Sequence, residues 1–176
     1  MKKLFIVLCL ASFLSGFSQE KETIDFKRNE LKGNALLLVL GSLEATYERL
    51  LNEESGVGIT VSVPVDKYNW DINFAATAYY RYYFGKKPAA GFFGEAFGML
   101  NNVDDYVYSE TPNNYSWTPE KLTDFALGIG LGGKWITNKG LLLEVNAGVG
   151  RNLFNNKYDR DFELIGRGGI TVGYRF

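Results

Sequence analysis

From residue 30 to residue 176 the chain repeats one pattern. Stretches in which apolar residues alternate with small or polar ones are separated by clusters of Gly, Asn, Asp and Pro. A period of two puts successive side chains on opposite faces of a β-strand, and the clusters mark turns. The pattern predicts eight strands, over residues 30–40, 43–51, 56–63, 72–84, 91–101, 122–136, 141–153 and 164–176. In the sixth, Phe125, Leu127, Ile129, Leu131 and Trp135 share a face with Gly133, while Ala126, Gly128, Gly130, Gly132 and Lys134 share the other. In the seventh, Leu141, Leu143, Val145, Ala147 and Val149 oppose Leu142, Glu144, Asn146, Gly148 and Gly150; in the third, Val57, Ile59, Val61 and Val63 oppose Gly58, Thr60 and Ser62. One face of each strand is greasy and the other small or polar, as expected where a wall separates an apolar medium from a narrow polar interior.

The connections alternate too. One set is short, at 52–55, 85–90 and 137–140. The other, at 41–42, 64–71, 102–121 and 154–163, is longer except for its first member. Short turns at one end and long loops at the other fit an up-and-down barrel with an even number of strands. The composition agrees: 15% of the residues are aromatic, Gly occurs 20 times and Pro only 4 times. Aromatic residues near strand ends (Tyr47, Tyr68, Trp70, Tyr79, Tyr80, Tyr82, Tyr83, Tyr106, Tyr108, Trp117, Trp135, Tyr158 and Tyr174) are placed as girdles at a lipid headgroup level would be.

The two ends add a destination. Lys2 and Lys3 precede a mostly apolar run over residues 4–14, and Ser15, Gly16 and Ser18 follow, which is the layout of a secretory signal peptide cleaved after Ser18. The run is shorter than the roughly 17 residues of a spanning helix. Cleavage removes Cys9, the only cysteine, so the mature chain has no thiol chemistry. It also removes two lysines, taking the formal charge from -1 to about -3, which gives no basic surplus for nucleic acid. Residues 19–29 are polar and are expected to form a periplasmic lead-in, with the barrel over residues 30–176.

At the other end Ile170, Val172, Tyr174 and Phe176 alternate with Gly169, Thr171, Gly173 and Arg175. A closing strand whose apolar face ends on a terminal Phe, in a chain with an export signal, resembles that of bacterial outer-membrane β-barrels, where these positions are read by the insertion machinery. The chain as a whole resembles small barrels of the OmpA and OmpX type and exported barrels of unassigned role. The resemblance implies an all-β fold, an eight-stranded antiparallel up-and-down transmembrane β-barrel, residing in the cell outer membrane of a Gram-negative envelope. Without the C-terminal peptidoglycan-binding domain of full OmpA-type proteins in the sequence, cell-wall tethering is not part of the expectation.

Candidate chemistry is sparse. There is no histidine, so the imidazole base of lipid-remodelling barrel enzymes and of the usual hydrolase triads is absent, as are His and Cys metal ligands in the mature form. Gly128, Gly130 and Gly133 spell a dinucleotide-binding string, but within an alternating strand rather than at a strand-to-helix turn. Neither a cofactor nor a metal is expected. The inward parity carries Glu44, Glu48, Arg81, Glu95, Lys134, Glu144, Arg167 and Arg175, four acids and four bases that fit a paired network filling the lumen. A polar ion pathway, or a carboxylate pair of Glu44 with Glu48, is the functional alternative. The longest loop, 102–121 with Asn101 before it, gathers Asn101, Asn102, Asp104, Asp105, Glu110, Asn113 and Asn114 among Tyr106, Tyr108, Tyr115 and Trp117, a solvated loop or a surface that contacts calcium, a sugar or a protein. The expectation is therefore an outer-membrane protein with a plugged polar lumen and no enzymatic activity, in a structural or surface-contact role. A narrow pore for ions or small solutes and a soluble periplasmic lipocalin-like barrel are the alternatives.

Overall fold

The alternation closes on itself. A computed structural model describes residues 26–66, 70–111, 114–154 and 163–176, with the backbone alone for 105–111 and 114–120. The expected signal peptide, most of the lead-in and most of the loop at 154–163 lie outside the described residues. Eight strands pair antiparallel, each with its sequence neighbour: β1 (Asn29–Asn34), β2 (Ser42–Leu50), β3 (Ser55–Pro64), β4 (Ile72–Tyr83), β5 (Gly91–Thr111), β6 (Asn114–Ile136), β7 (Leu141–Asn152) and β8 (Leu164–Arg175). The barrel is closed by β1 against β8, in a register that sets Glu30 opposite Arg175 and Leu31 opposite Tyr174. Closure leaves no open edge along the wall, so every backbone polar group there has a neighbouring strand to bond. No helix among the described residues is long and apolar enough to cross a membrane.

The two faces separate as the period demands. Leu127, Ile129, Leu131 and Trp135 of β6 are exposed on the outer wall, Ile129 and Leu131 to 70%, whereas Ala126 and Lys134 of the same strand are buried inside. Gly128 and Gly130 lie within β6, paired on both sides, so the dinucleotide string is barrel wall. A Cβ on Gly130 would sit 3.0 Å from the Glu95 side chain, and one on Gly150 would sit 3.1 Å from the Phe97 ring. These glycines provide the room that large β5 side chains occupy in a barrel this narrow.

Three expectations need correction. The first strand does not run to residue 40. It stops at Asn34, and a one-turn helix, α1 (Ala35–Val39), follows. Residues 35–40 are six apolar residues in succession, with no polar member to face the lumen. The Asn34 side chain caps the helix by accepting from Leu37 N at 3.2 Å, and Gly41, at φ +85°, ends it. The one connection that looked too short for its end of the barrel is therefore a helix at the rim.

Second, residues 102–121 are not an irregular loop. β5 and β6 remain paired from Val103↔Leu122 out to Thr111↔Asn114, while β4 stops at Val103 and β7 reaches only Ala126. The two longest strands thus project beyond the wall as a two-stranded ribbon. The Tyr, Val, Trp and Thr residues there favour strand and outweigh the oxygen-rich positions that read as loop. Third, Tyr79 and Tyr83 belong to no girdle. Both are buried in the lumen, whereas Tyr80 and Tyr82 are exposed on the wall.

Candidate functional site

Inward positions near the chain termini build a dense knot of charge. β1 contributes Glu30 and Lys32, β2 Glu48, β4 Arg81, β5 Glu95, β6 Lys134, β7 Glu144, and β8 Arg167 and Arg175. Glu48, fully buried, is the hub: it accepts from Lys32, from Arg81 Nη1 at 3.1 Å, from Lys134 at 3.3 Å, from the Tyr79 hydroxyl at 2.8 Å and from the Tyr83 hydroxyl. Arg81 also pairs with Glu95 at 2.7 Å and Glu144 at 2.8 Å, and Lys134 with Glu30 at 2.7 Å. Lys32 reaches Glu144 at 3.1 Å. The Arg81 guanidinium lies between the Tyr79 and Phe93 rings, 4.3 and 4.2 Å from their centroids. Each carboxylate of the knot meets at least one cation, and burial without such pairing would cost several kcal/mol per ion. In a low-dielectric interior these charges also hold the surrounding strands in register, because a one-residue slip would turn them toward the apolar outside.

The knot extends to the rim at this end. Arg175 donates to Glu30 Oε1 at 2.8 Å through Nε, and to the Pro88 and Ala89 carbonyls at 2.8 and 2.7 Å. The turn between β4 and β5 is thereby tied to the barrel interior, and Ala89 packs in a cluster with Leu50, Tyr83 and Phe93, against which Phe26 also rests. Backbone bonds from Leu50 N to Arg28 O and from Asn29 N to Phe176 O fasten the incoming chain to the same rim.

The other half of the lumen is different. Its inward positions carry Ser42, Thr46, Thr60, Ser62 and Thr77. Thr46 and Thr60 bond each other at 2.8 Å, and Ser42 and Ser62 at 3.2 Å. These side chains are too short to reach across, and a cavity of about 340 Å³ remains. Its rim is formed by Leu37, Pro64 and Trp70, its floor by Thr60, Thr77, Met99 and Arg167, and Glu44 lines its wall. Arg167 joins the halves: it pairs with Glu95 at 2.9 Å while its guanidinium sits 5.3 Å from both the Tyr79 and the Phe97 ring centroids.

Of the eight charged positions expected inside, seven meet in or at the edge of the knot. Glu44 stands apart. It is four residues from Glu48 along β2, about 13 Å at strand rise, so the two are no catalytic carboxylate pair. Glu30, Lys32, Tyr79 and Tyr83 are members that sequence reasoning omitted. Parity held the signal for each: Tyr79 and Tyr83 flank Arg81 at two-residue spacing, and Glu30 and Lys32 alternate with outward Leu31. Ile170, Val172, Tyr174 and Phe176 are exposed on the outer wall. On the ribbon side, Asp104 accepts from Asn73 at 2.7 Å and Asn102 donates to Thr123 at 2.8 Å, so these two oxygen-rich residues are engaged within the protein. No group of three or more potential metal-ligating side chains occurs among the described residues.

With this geometry in hand, known proteins narrow the fold. The crystal structure of the N-terminal β-barrel domain of Pseudomonas aeruginosa OprF superposes with a TM-score of 0.53 at 13% identity, covering 85% of this chain and 96% of that domain. The two share a fold. At that identity the likeness concerns architecture alone, and it agrees with the OmpA-type barrel to which the terminal strand pointed. No family model matches the chain, and no curated protein matches it.

Proposed function

We propose that the chain is an integral outer-membrane barrel with a plugged lumen, acting without catalysis by reinforcing the envelope and presenting its long ribbon to a surface ligand or protein. The observation that carries this reading is the knot of mutually paired, largely buried charges at inward positions of one end of the barrel. An apolar outer wall supports the membrane. Strands β4, β7 and β8, of 12 residues each, exceed the 9–11 or so that a tilted strand needs to span a bilayer, and a water-soluble lipocalin-like barrel would not present so continuous an apolar belt. With short turns and termini in the periplasm, the ribbon faces outward. Ile170, Val172, Tyr174 and Phe176 are then the residues the insertion machinery reads. The carboxylates of the knot are committed to cations, and the chain has no histidine to serve as a general base.

A narrow pore is the second reading, and the cavity favours it, because beyond the knot about 340 Å³ of the interior is left open. Recording from the purified protein in a planar bilayer decides between them. A plugged barrel gives a silent membrane, whereas reproducible unitary current steps would overturn the plug and establish the pore.

A further inference from the structure

Glu44 is the one carboxylate of the cavity, and the charge knot does not use it. It accepts a hydrogen bond from Asn34 Nδ2 at 2.9 Å and has no cation within ion-pair distance among the described residues. Asn34 is itself fully committed. It donates to Gly168 O at 3.2 Å and caps α1 through its oxygen, so the amide that orients Glu44 is fixed by both the helix and β8. The second charge in the cavity, Arg167, is paired with Glu95 between two aromatic rings; its field also reaches Glu44, but the two do not form an ion pair. What remains for a visitor is a negative group on a wall otherwise made of hydroxyls and apolar side chains: Leu37, Ile72, Ala75 and Met99, with Trp70 held at the rim by its bond from Nε1 to Leu40 O at 2.8 Å. A volume of about 340 Å³ is at the lower end of the range for small-molecule sites.

From this arrangement we infer that the cavity is a binding site for a small organic cation with an apolar body, an ammonium group carried on an aromatic or aliphatic frame. The ammonium would pair with Glu44 and donate to the hydroxyls of Ser42 and Ser62. The frame would lie against Met99, Ile72 and the Trp70 indole, which also attracts cations through its π face. The site is compatible with a plugged lumen, since the knot lies beneath it.

The test uses the full chain folded in detergent micelles and three probes of similar shape: phenethylammonium, 2-phenylethanol and 3-phenylpropionate. Binding is followed on the Trp70 indole N–H resonance, assigned with Trp70→Phe. Phenethylammonium should give a saturable shift and bind roughly tenfold or more tightly than either other probe, as a charge-assisted bond requires. Glu44→Gln should reduce it to the level of the alcohol. Ala75→Leu, which fills the cavity without altering Glu44, should abolish binding of all three. Equal binding of the ammonium and the alcohol, tighter binding of the carboxylate through Arg167, or an unchanged affinity in Glu44→Gln would each overturn the assignment. Heat-modifiable gel migration reports whether the variants fold, and the probe series on the native chain decides the question if Glu44→Gln does not.

Discussion

Near the termini, inward positions carry Lys, Arg and Glu, whose long side chains cross the lumen and meet groups from the opposite wall: Lys134 of β6 reaches Glu30 of β1, and Arg167 of β8 reaches Glu95 of β5. Further along β2, β3 and β4 the inward positions carry Ser and Thr, whose bonds join neighbouring strands, as Thr46 of β2 does with Thr60 of β3. The barrel has the same strand number throughout, yet one half carries a knot of crossing charges and the other, the hollow half, keeps a cavity of about 340 Å³. The contrast teaches that side-chain reach at inward positions, rather than the size of the cylinder, sets how much of the interior side chains occupy. It also shows two ways of satisfying buried polar groups. The hydroxyl pairs are local and separable, whereas the charges share partners: Glu48 alone meets Lys32, Arg81 and Lys134, so removing it weakens three ion pairs at once.

The sharpest way to break this comparison is to make the same substitution in each half. Glu48→Gln removes one negative charge and leaves Lys32, Arg81 and Lys134 crowded around an amide. Stripping one partner from a buried network of this kind costs about 3–5 kcal/mol. Glu44→Gln leaves a neutral acceptor for Asn34 in a half-buried position and should cost no more than about 1 kcal/mol. Urea unfolding of the two variants from lipid vesicles measures both. If they lose equal stability, the two halves are not energetically distinct.

A smaller effect is expected at the boundary between the halves. A Cβ on Gly58 would overlap the Tyr79 phenol ring. That ring cannot swing aside freely, since its hydroxyl is bonded to Glu48 at 2.8 Å and Arg81 is stacked on its face. Gly58→Ala should therefore destabilise by about 1–3 kcal/mol, as overpacking does. Gly166→Ala, where a Cβ would meet nothing within 4 Å, should change stability little in the same unfolding assay. Equal losses at the two glycines would mean that Tyr79 is not the tightly held partition that its contacts describe.

Much of this arrangement was legible from spacing alone. Strict alternation in β3, β6 and β7 assigned the wall, and the parity that placed Arg81 inside implied Tyr79 and Tyr83, although large aromatics near strand ends read more readily as girdle. Glu30 and Lys32 were missed because the first strand was read through the apolar run that becomes α1, which obscured its short alternating part. The ribbon was misread because Asp, Asn and Pro outshone the β-formers between them. Two features had no sequence signal. Which of the inward acids would join the knot depends on cross-lumen distances that only closure fixes, and Glu44 and Glu48 look alike on the page. The cavity depends on side-chain lengths summed over several strands at one height, which no single strand's pattern reports.

The smallest effect tests whether the hollow half is as separable as its geometry implies. Thr60→Val deletes the 2.8 Å bond to Thr46 while preserving shape, and should cost about 0.5–1.5 kcal/mol. Thr46→Val should cost a similar amount. Replacing both together leaves no hydroxyl without its partner, so the double variant should lose less than the two single losses combined, by a coupling energy close to that of the one bond. The charge knot admits no such rescue. Pairing Glu48→Gln with a neutral residue at Lys134 still leaves Lys32 and Arg81 facing an uncharged group, and Glu30 loses a cation as well. A double-mutant cycle in each half, read by the same vesicle unfolding, thus separates a pairwise interaction from a shared one. Were the Thr46 and Thr60 losses strictly additive, the hydroxyl bond would contribute nothing measurable, and the hollow half would be held by its backbone pairing alone.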